Sequence, residues 1–311
     1  MRLRRLLAGA AGGLAGTAAV NRLLTARAGD LHPGLDGTQH TYRWRGFDVA
    51  YTERGDPNDP DLLLLHGMHA AASSHEFRGI VDRLSEEYHV LAPDLPGFGR
   101  SDRPAVAYTT DLYESFVRDF ARDRIENAVC LASSLSGAHA AIAADAVDFS
   151  RLVLVCPAAD TTVERPWLRA LFRAPVVGTG LFNLLVSKPS LEYFDQRDAY
   201  YHPQNVDAET VNYQWRTSHQ ANARFAPASF VGGYLDPVVD LGSQLADLDA
   251  PVTLVWGREA ELTTLTEGRR LAEEGDTRLV VVNEARLTPH AEHPEAFLSA
   301  LSRELPRLED D

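Results

Sequence analysis

The chain is short of lysine, cysteine and long apolar runs, and each shortage removes a class of protein. Lys188 is the sole lysine among 30 basic residues, which stand against 44 acidic ones for a net charge of -14. Phosphate binding draws on clustered Lys and Arg, so this balance argues against a nucleic-acid partner. Cys130 and Cys156 are too few for a disulfide framework, and no C-x-x-C or comparable ligand spacing occurs, so neither a metal nor a cofactor is expected. Both cysteines end short apolar segments, where a small thiol is ordinary core filler. No apolar run reaches the roughly 20 residues that a spanning helix requires.

What remains is ample for a core. A length of 311 residues with 45% hydrophobic content suits either one large α/β domain carrying an insertion or two smaller domains. Arg2, Arg4 and Arg5 precede an Ala/Gly/Leu stretch from Leu6 to Val20, and no acidic residue comes before Asp30. Such a leader, residues 1–35, suits two roles: an export signal with Ala26-Arg27-Ala28 as candidate cleavage site, or an amphipathic segment that stays attached and leans on a membrane. Location is therefore open among cytoplasmic, membrane-associated and exported.

From Thr41 the pattern is regular. Tyr42 to Glu53 alternates as an antiparallel hairpin, and Leu62 to Leu65 is a continuous apolar run typical of a strand covered on both faces. Helical spacing over 77–88, 111–124, 136–146, 261–274 and 294–305 interleaves with strands near 89–92, 128–131, 151–156, 251–256 and 278–282. This alternation predicts a parallel sheet wound by right-handed crossovers. It stops over 158–247, a helical and aromatic stretch read as an inserted cap, leaving 36–157 and 248–311 as the core.

Five segments in order carry a resemblance: Leu-Leu-Leu-Leu-His-Gly-Met at 62–68, Asp-Leu-Pro-Gly-Phe-Gly-Arg-Ser-Asp at 94–102, Ala-Ser-Ser-Leu-Ser at 132–136, Pro-Val-Thr-Leu-Val-Trp-Gly at 251–257 and Pro-His-Ala-Glu-His-Pro-Glu-Ala-Phe at 289–297. Together they resemble the cap-bearing branch of the α/β-hydrolase fold family. The resemblance implies an eight-stranded, mostly parallel sheet with a helical cap, and a nucleophile elbow at Ser134 with alanine and serine replacing the usual glycines. It also implies backbone N–H groups of Met68 and Leu135 as oxyanion donors, and His66 as a residue that bonds loop backbone.

The same register puts Ala260 where the family has its acid and Leu287 where it has its histidine. A serine hydroxyl is a poor nucleophile until a base takes its proton. His290, with Glu259 or Glu261, supplies the displaced-partner reading; Asp160 is a further acid candidate; His69 and His75 stand near the oxyanion loop as polar wall or relocated base. His202 and His219 fall in the cap, and His293 at a helix start. Three functions remain: a hydrolase of small carboxylic esters or similar substrates with a degenerate triad, a non-catalytic relative binding a small molecule or partner, and cofactor-free proton-transfer or lyase chemistry. Cap aromatics point to a small, largely apolar ligand between cap and core.

Overall fold

The computed structural model describes residues 2–159, 161 and 163–305. Eight strands form one sheet: β1 (Thr38–Trp44), β2 (Phe47–Arg54), β3 (Asp61–Leu65), β4 (His89–Pro93), β5 (Val129–Ser133), β6 (Arg151–Val155), β7 (Val252–Gly257) and β8 (Arg278–Val282), in the order β1-β2-β4-β3-β5-β6-β7-β8. The β1–β2 hairpin joins β4 antiparallel, and every later pairing is parallel.

Strand periodicity divides the core. Leu63 and Leu65, Cys130, and Leu152 and Leu154 enter one apolar cluster, while Leu62 and Leu64, Leu131, and Val153 and Val155 enter the cluster on the opposite face. Successive side chains point to opposite faces, so a strand buried on both must be apolar at every position. Both cysteines are buried and free.

Sixteen helical elements, 3-10 and π turns included, accompany the strands among the described residues. Those that matter are α1 (Arg2–Ala28), α2 (Val81–Leu84), α3 (Thr110–Arg124), α4 (Leu135–Ala143), α5 (Pro166–Arg173), α6 (Val177–Leu185), α7 (Lys188–Phe194), α8 (Ala208–Ser218), α9 (Phe225–Val231), α10 (Leu241–Ala246), α11 (Leu265–Glu274), α12 (Pro289–Glu292) and α13 (Pro294–Leu301). The helix expected over 77–88 shrinks to a 3-10 turn at Ser74–Phe77 and the single turn of α2. Gly79 stands between them, with space for a Cβ only 3.3 Å from the Pro294 ring, so tertiary approach of α13 takes precedence over helical spacing.

The 158–247 insertion is helical, and Phe182, Val186, Leu191 and Val211 form a small core of its own together with Ala71. Its last helix, α10, packs on α4 and α11 and so sits with the core layer. The leader is helical and lies against α6 and α8 of the insertion.

A histidine knot ties the β2, β3 and β4 strands at the sheet's lower rim. His89 Nδ1 lies 2.7 Å from Asp61 and Nε2 3.0 Å from Glu53. Burial by itself would lower the pKa of His89, but its bonds to Asp61 and Glu53 outweigh that and raise it. The folded state thus binds the proton more tightly than the unfolded chain: the contribution is complete below about 6.5, the ordinary histidine value, and is lost as pH rises through the folded value. His89→Gln is expected to cost about 1.5–3 kcal/mol in urea unfolding at pH 6 and less at pH 8.5. An equal cost at both pH values would refute the linkage.

Candidate active site

Ser134 occupies the one-residue turn between β5 and α4 at φ 54°, ψ -129°. A non-glycine residue held there costs of order 1–3 kcal/mol and persists only where its surroundings over-determine it. Here Ser134 N donates to Val155 O at 2.8 Å, and its carbonyl accepts from Gly137 N at 2.9 Å. At Gly137 a Cβ would sit 3.0 Å from the Pro157 Cβ, so the glycine admits the close approach of α4 to the chain leaving β6. Ser134 is half-buried, and its hydroxyl makes no hydrogen bond to an imidazole among the described residues.

The loop facing it is pinned from three sides. Ser136 Oγ donates to His66 O at 2.6 Å, His66 Nε2 accepts from Leu95 N at 2.9 Å, and Glu76 accepts from Gly67 N at 3.0 Å. Gly67 lies between Ser134 and Glu76: a Cβ built on it would be 3.5 Å from Ser134 Cβ and 3.6 Å from Glu76 Oε2. Met68 and Leu135 are buried at 3% and 0% exposure, and the N–H of neither donates to another group among the described residues. Buried backbone donors are paired in more than about nine cases in ten. Two unpaired ones beside a strained serine form a concentrated demand for an oxygen acceptor.

The register of the family resemblance associates His290 with Glu259 or Glu261, and the structure does not bring these together. His290 is fully buried between Phe77 and Phe297, with ring centroids at 5.3 and 5.7 Å, and its Nε2 lies 3.3 Å from Glu76 Oε1. Burial alone would raise the Glu76 pKa, but its contact with His290, with smaller electrostatic contributions from the neighbouring His66 and His69, outweighs this and holds its carboxyl below the usual range. Glu259 accepts from Ala285 N at 3.1 Å, and the exposed Glu261 pairs with Arg286 at 3.0 Å, so both serve the loop after β8. The reason is local: two glutamates flanking buried Ala260 turn outward to that loop's polar groups. Asp160 lies outside the described residues. Leu287 packs against the same apolar cluster that contains Ala260, Met68 and Leu135.

The other histidines are committed elsewhere. His75 is buried and stacks on Tyr213 at 4.2 Å, and burial pushes its pKa down to about 4. His219 bonds Trp215 O at 2.8 Å, His293 bonds Glu284 O at 2.7 Å, and His202 faces Glu284 at 3.3 Å. His69 is exposed yet crowded by protein, and that desolvation pushes its pKa down to about 4, an effect its exposure limits. Its Nδ1 accepts from Ala71 N at 3.3 Å, which assigns the proton of the neutral ring to Nε2. His69 is thus set to donate a hydrogen bond, and not to accept a proton.

Sequence reasoning missed Glu76, Ser136 and Asp195. Glu76 stands one residue before the helix expected over 77–88 and belongs to no motif. Ser136 looked like a small-residue substitute, although its hydroxyl spans 70 residues to bond the loop. Asp195 starts a π-helical turn in the insertion, and burial pushes its carboxyl up to about 7. No sequence signal marks it, because only tertiary packing removes its water.

The strand order, the strained serine after β5 and the pinned His66-Gly67 loop define an α/β-hydrolase. The sequence profile of the alpha/beta hydrolase family matches residues 62–300, and the chain belongs to that family. It is 26% identical over 260 residues, 81% of this chain and 89% of the relative, to a 2-hydroxy-6-oxononadienedioate/2-hydroxy-6-oxononatrienedioate hydrolase of Pseudomonas putida. An uncharacterized hydrolase of Saccharomyces cerevisiae is 44% identical over 59 residues, 19% of this chain, and the chain spans about a fifth (20%) of that relative's length. Among solved structures, a 2-hydroxy-6-oxo-6-phenylhexa-2,4-dienoate hydrolase from Rhodococcus superposes with TM-score 0.71 at 20% identity, covering 87% of this chain and 99% of the other.

Proposed function

We propose that this protein binds small, largely apolar carbonyl compounds between insertion and core, and that it hydrolyses carboxylic esters or similar substrates at Ser134 slowly, with a degenerate triad. The observation that carries this is the pair of buried, unpaired N–H groups at Met68 and Leu135 beside a serine without an imidazole partner. The substrate carbonyl oxygen would take both N–H groups, with His69 Nε2 as a further donor on the same loop. Ser134 Oγ would attack the carbonyl carbon, its proton passing to water; the ester C–O bond would break, the departing oxygen taking a proton back from water to leave as alcohol; a second water would then add to the acyl-serine, releasing the acid and returning a proton to Ser134 Oγ. Removing one oxyanion donor costs about 100- to 1,000-fold in related systems, so these donors supply real stabilisation without a base. Loss of the histidine is far more damaging, and what remains is roughly 1,000- to 10,000-fold over water. The names of the two dienoate-type hydrolases include oxo groups, in line with carbonyl recognition.

A second reading, pure binding without turnover, is favoured by one observation: Leu287, standing where the family resemblance calls for the histidine, packs against the large apolar cluster that also contains Ala260. Proton-transfer chemistry through His69 or His75 has less support, since one ring is tautomerically a donor and the other is stacked away. Fluorophosphonate labelling with Ser134→Ala as control tests the reading. Slow, Ser134-dependent labelling is expected. Complete labelling within minutes would reveal a working base and end the proposal, and none after long incubation would leave pure binding.

A further inference from the structure

Acidic residues are missing from two stretches far apart in sequence, 1–29 and 165–191, which together hold nine of the 30 basic residues and none of the 44 acidic ones. These stretches meet in space. Helix α1 crosses α6 where a Cβ on Gly180 would lie 3.0 Å from Thr17 Cγ2. Asn21, buried at this crossing, donates to Val176 O and accepts from Asn183, each at 2.9 Å. Arg216 of α8 then holds the helix end by bonding Ala28 O and Asp30 O at 3.1 and 2.6 Å.

Because Thr17, Asn21 and Ala28 face inward, Val20, Leu23 and Arg27, spaced i, i+3 and i+7, face out. The adjoining α6 does the same with Val177, Leu181 and Leu184, and α5 presents Trp167. Leu23, Leu184 and Trp167 are 66%, 70% and 66% exposed. Arg22 and Arg27 on α1 are exposed, as are Arg165 just before α5 and Lys188 at the start of α7, which follows α6. Exposed aliphatic side chains with a tryptophan, interleaved with basic residues and free of acids, are the composition of an interfacial surface. No helix of the described residues is long and apolar enough to cross a membrane.

We propose that the outer faces of α1, α5 and α6 form one docking surface for an anionic lipid bilayer, on which the protein lies without spanning. The charge argument selects the occupant: a surface that is uniformly basic on a chain of net charge -14 matches anionic headgroups, while its aliphatic and indole side chains match the acyl boundary. This inference goes beyond the reading of Ser134 and stands independently of it. It would bring the 158–247 insertion into contact with lipid.

The test uses the full chain and vesicles of phosphatidylglycerol mixed with phosphatidylcholine, against phosphatidylcholine alone. Partition to the anionic vesicles should be at least about tenfold stronger and should weaken with salt. Trp167 emission should shift to the blue on binding, a change absent in Trp167→Phe, since Trp44 and Trp256 are buried and Trp215 is half-buried against His219. Leu23→Asp with Leu184→Asp should reduce partition by about tenfold or more at unchanged thermal midpoint, while Val238→Asp, fully exposed elsewhere, should bind like the parent. Equal partition to both vesicle types would overturn the proposal. So would a lipid-free dimer that the Leu23→Asp, Leu184→Asp variant dissociates, which would assign the face to a second copy.

Discussion

Leu287→His combined with Ala260→Asp is expected to raise ester turnover by at least about 100-fold over the parent, with Ser134→Ala abolishing the gain. Histidine and serine in a triad act as one unit, and losing either costs about a millionfold in a related system, so an added imidazole has a large range to recover. The frame is ready to receive it: Ser134 is held in its strained turn, and Met68 and Leu135 keep their N–H groups unpaired. Leu287 is half-buried against the large apolar cluster that also contains buried Ala260, so imidazole and carboxylate introduced there would both be partly desolvated, a setting in which opposite charges support each other. Either single variant should gain little, because an unpaired buried carboxylate or an unoriented ring does not transfer protons well. The assay is p-nitrophenyl ester hydrolysis beside fluorophosphonate labelling rate. A double variant no faster than the parent would show that the turn or donors cannot support acyl transfer, and that the protein binds only.

Asp94→Ala should be the most destabilising single substitution near the site, by about 3–5 kcal/mol in urea unfolding. Asp94 is 3% exposed and accepts from Ser74 N, Ser74 Oγ and Arg100 N, each at 2.8 Å. It therefore joins the end of β4 to the turn preceding Glu76 and to the Arg100 loop. Gly99 is required for this closeness: with φ at +51°, its Cβ would lie 2.0 Å from the Asp94 carboxyl carbon. Removing the carboxylate leaves buried donors unpaired, and truncation opens a small cavity besides. A cost under about 1 kcal/mol would mean that water replaces the carboxylate at these donors.

Much of the fold was legible because its signals are local. Leu62–Leu65 read as a strand covered on both faces and 151–156 as a strand, and both lie in the sheet with alternate residues in opposite clusters. Ser134 was legible as an elbow, since small neighbours are what a one-residue turn between strand and helix demands. The partner of His290 was not: the family register pointed to the glutamates flanking position 260, whereas Glu76, more than 200 residues away along the chain, faces it. The leader's apolar pattern was visible, but its match to the acid-free α5–α6 stretch emerges only from the packing of α1 on α6.

By itself, then, the sequence determined the sheet, the serine turn and the residues standing at 260 and 287, because periodicity, small-residue requirements and motif register act over a few residues. Tertiary structure alone decided which groups are desolvated and paired: His290 with Glu76, His69 as a donor, the open N–H groups of Met68 and Leu135, and the joining of two basic stretches into one face. The physical reason is that burial and hydrogen-bond pairing depend on separations of a few ångströms between segments whose order along the chain says nothing about their meeting.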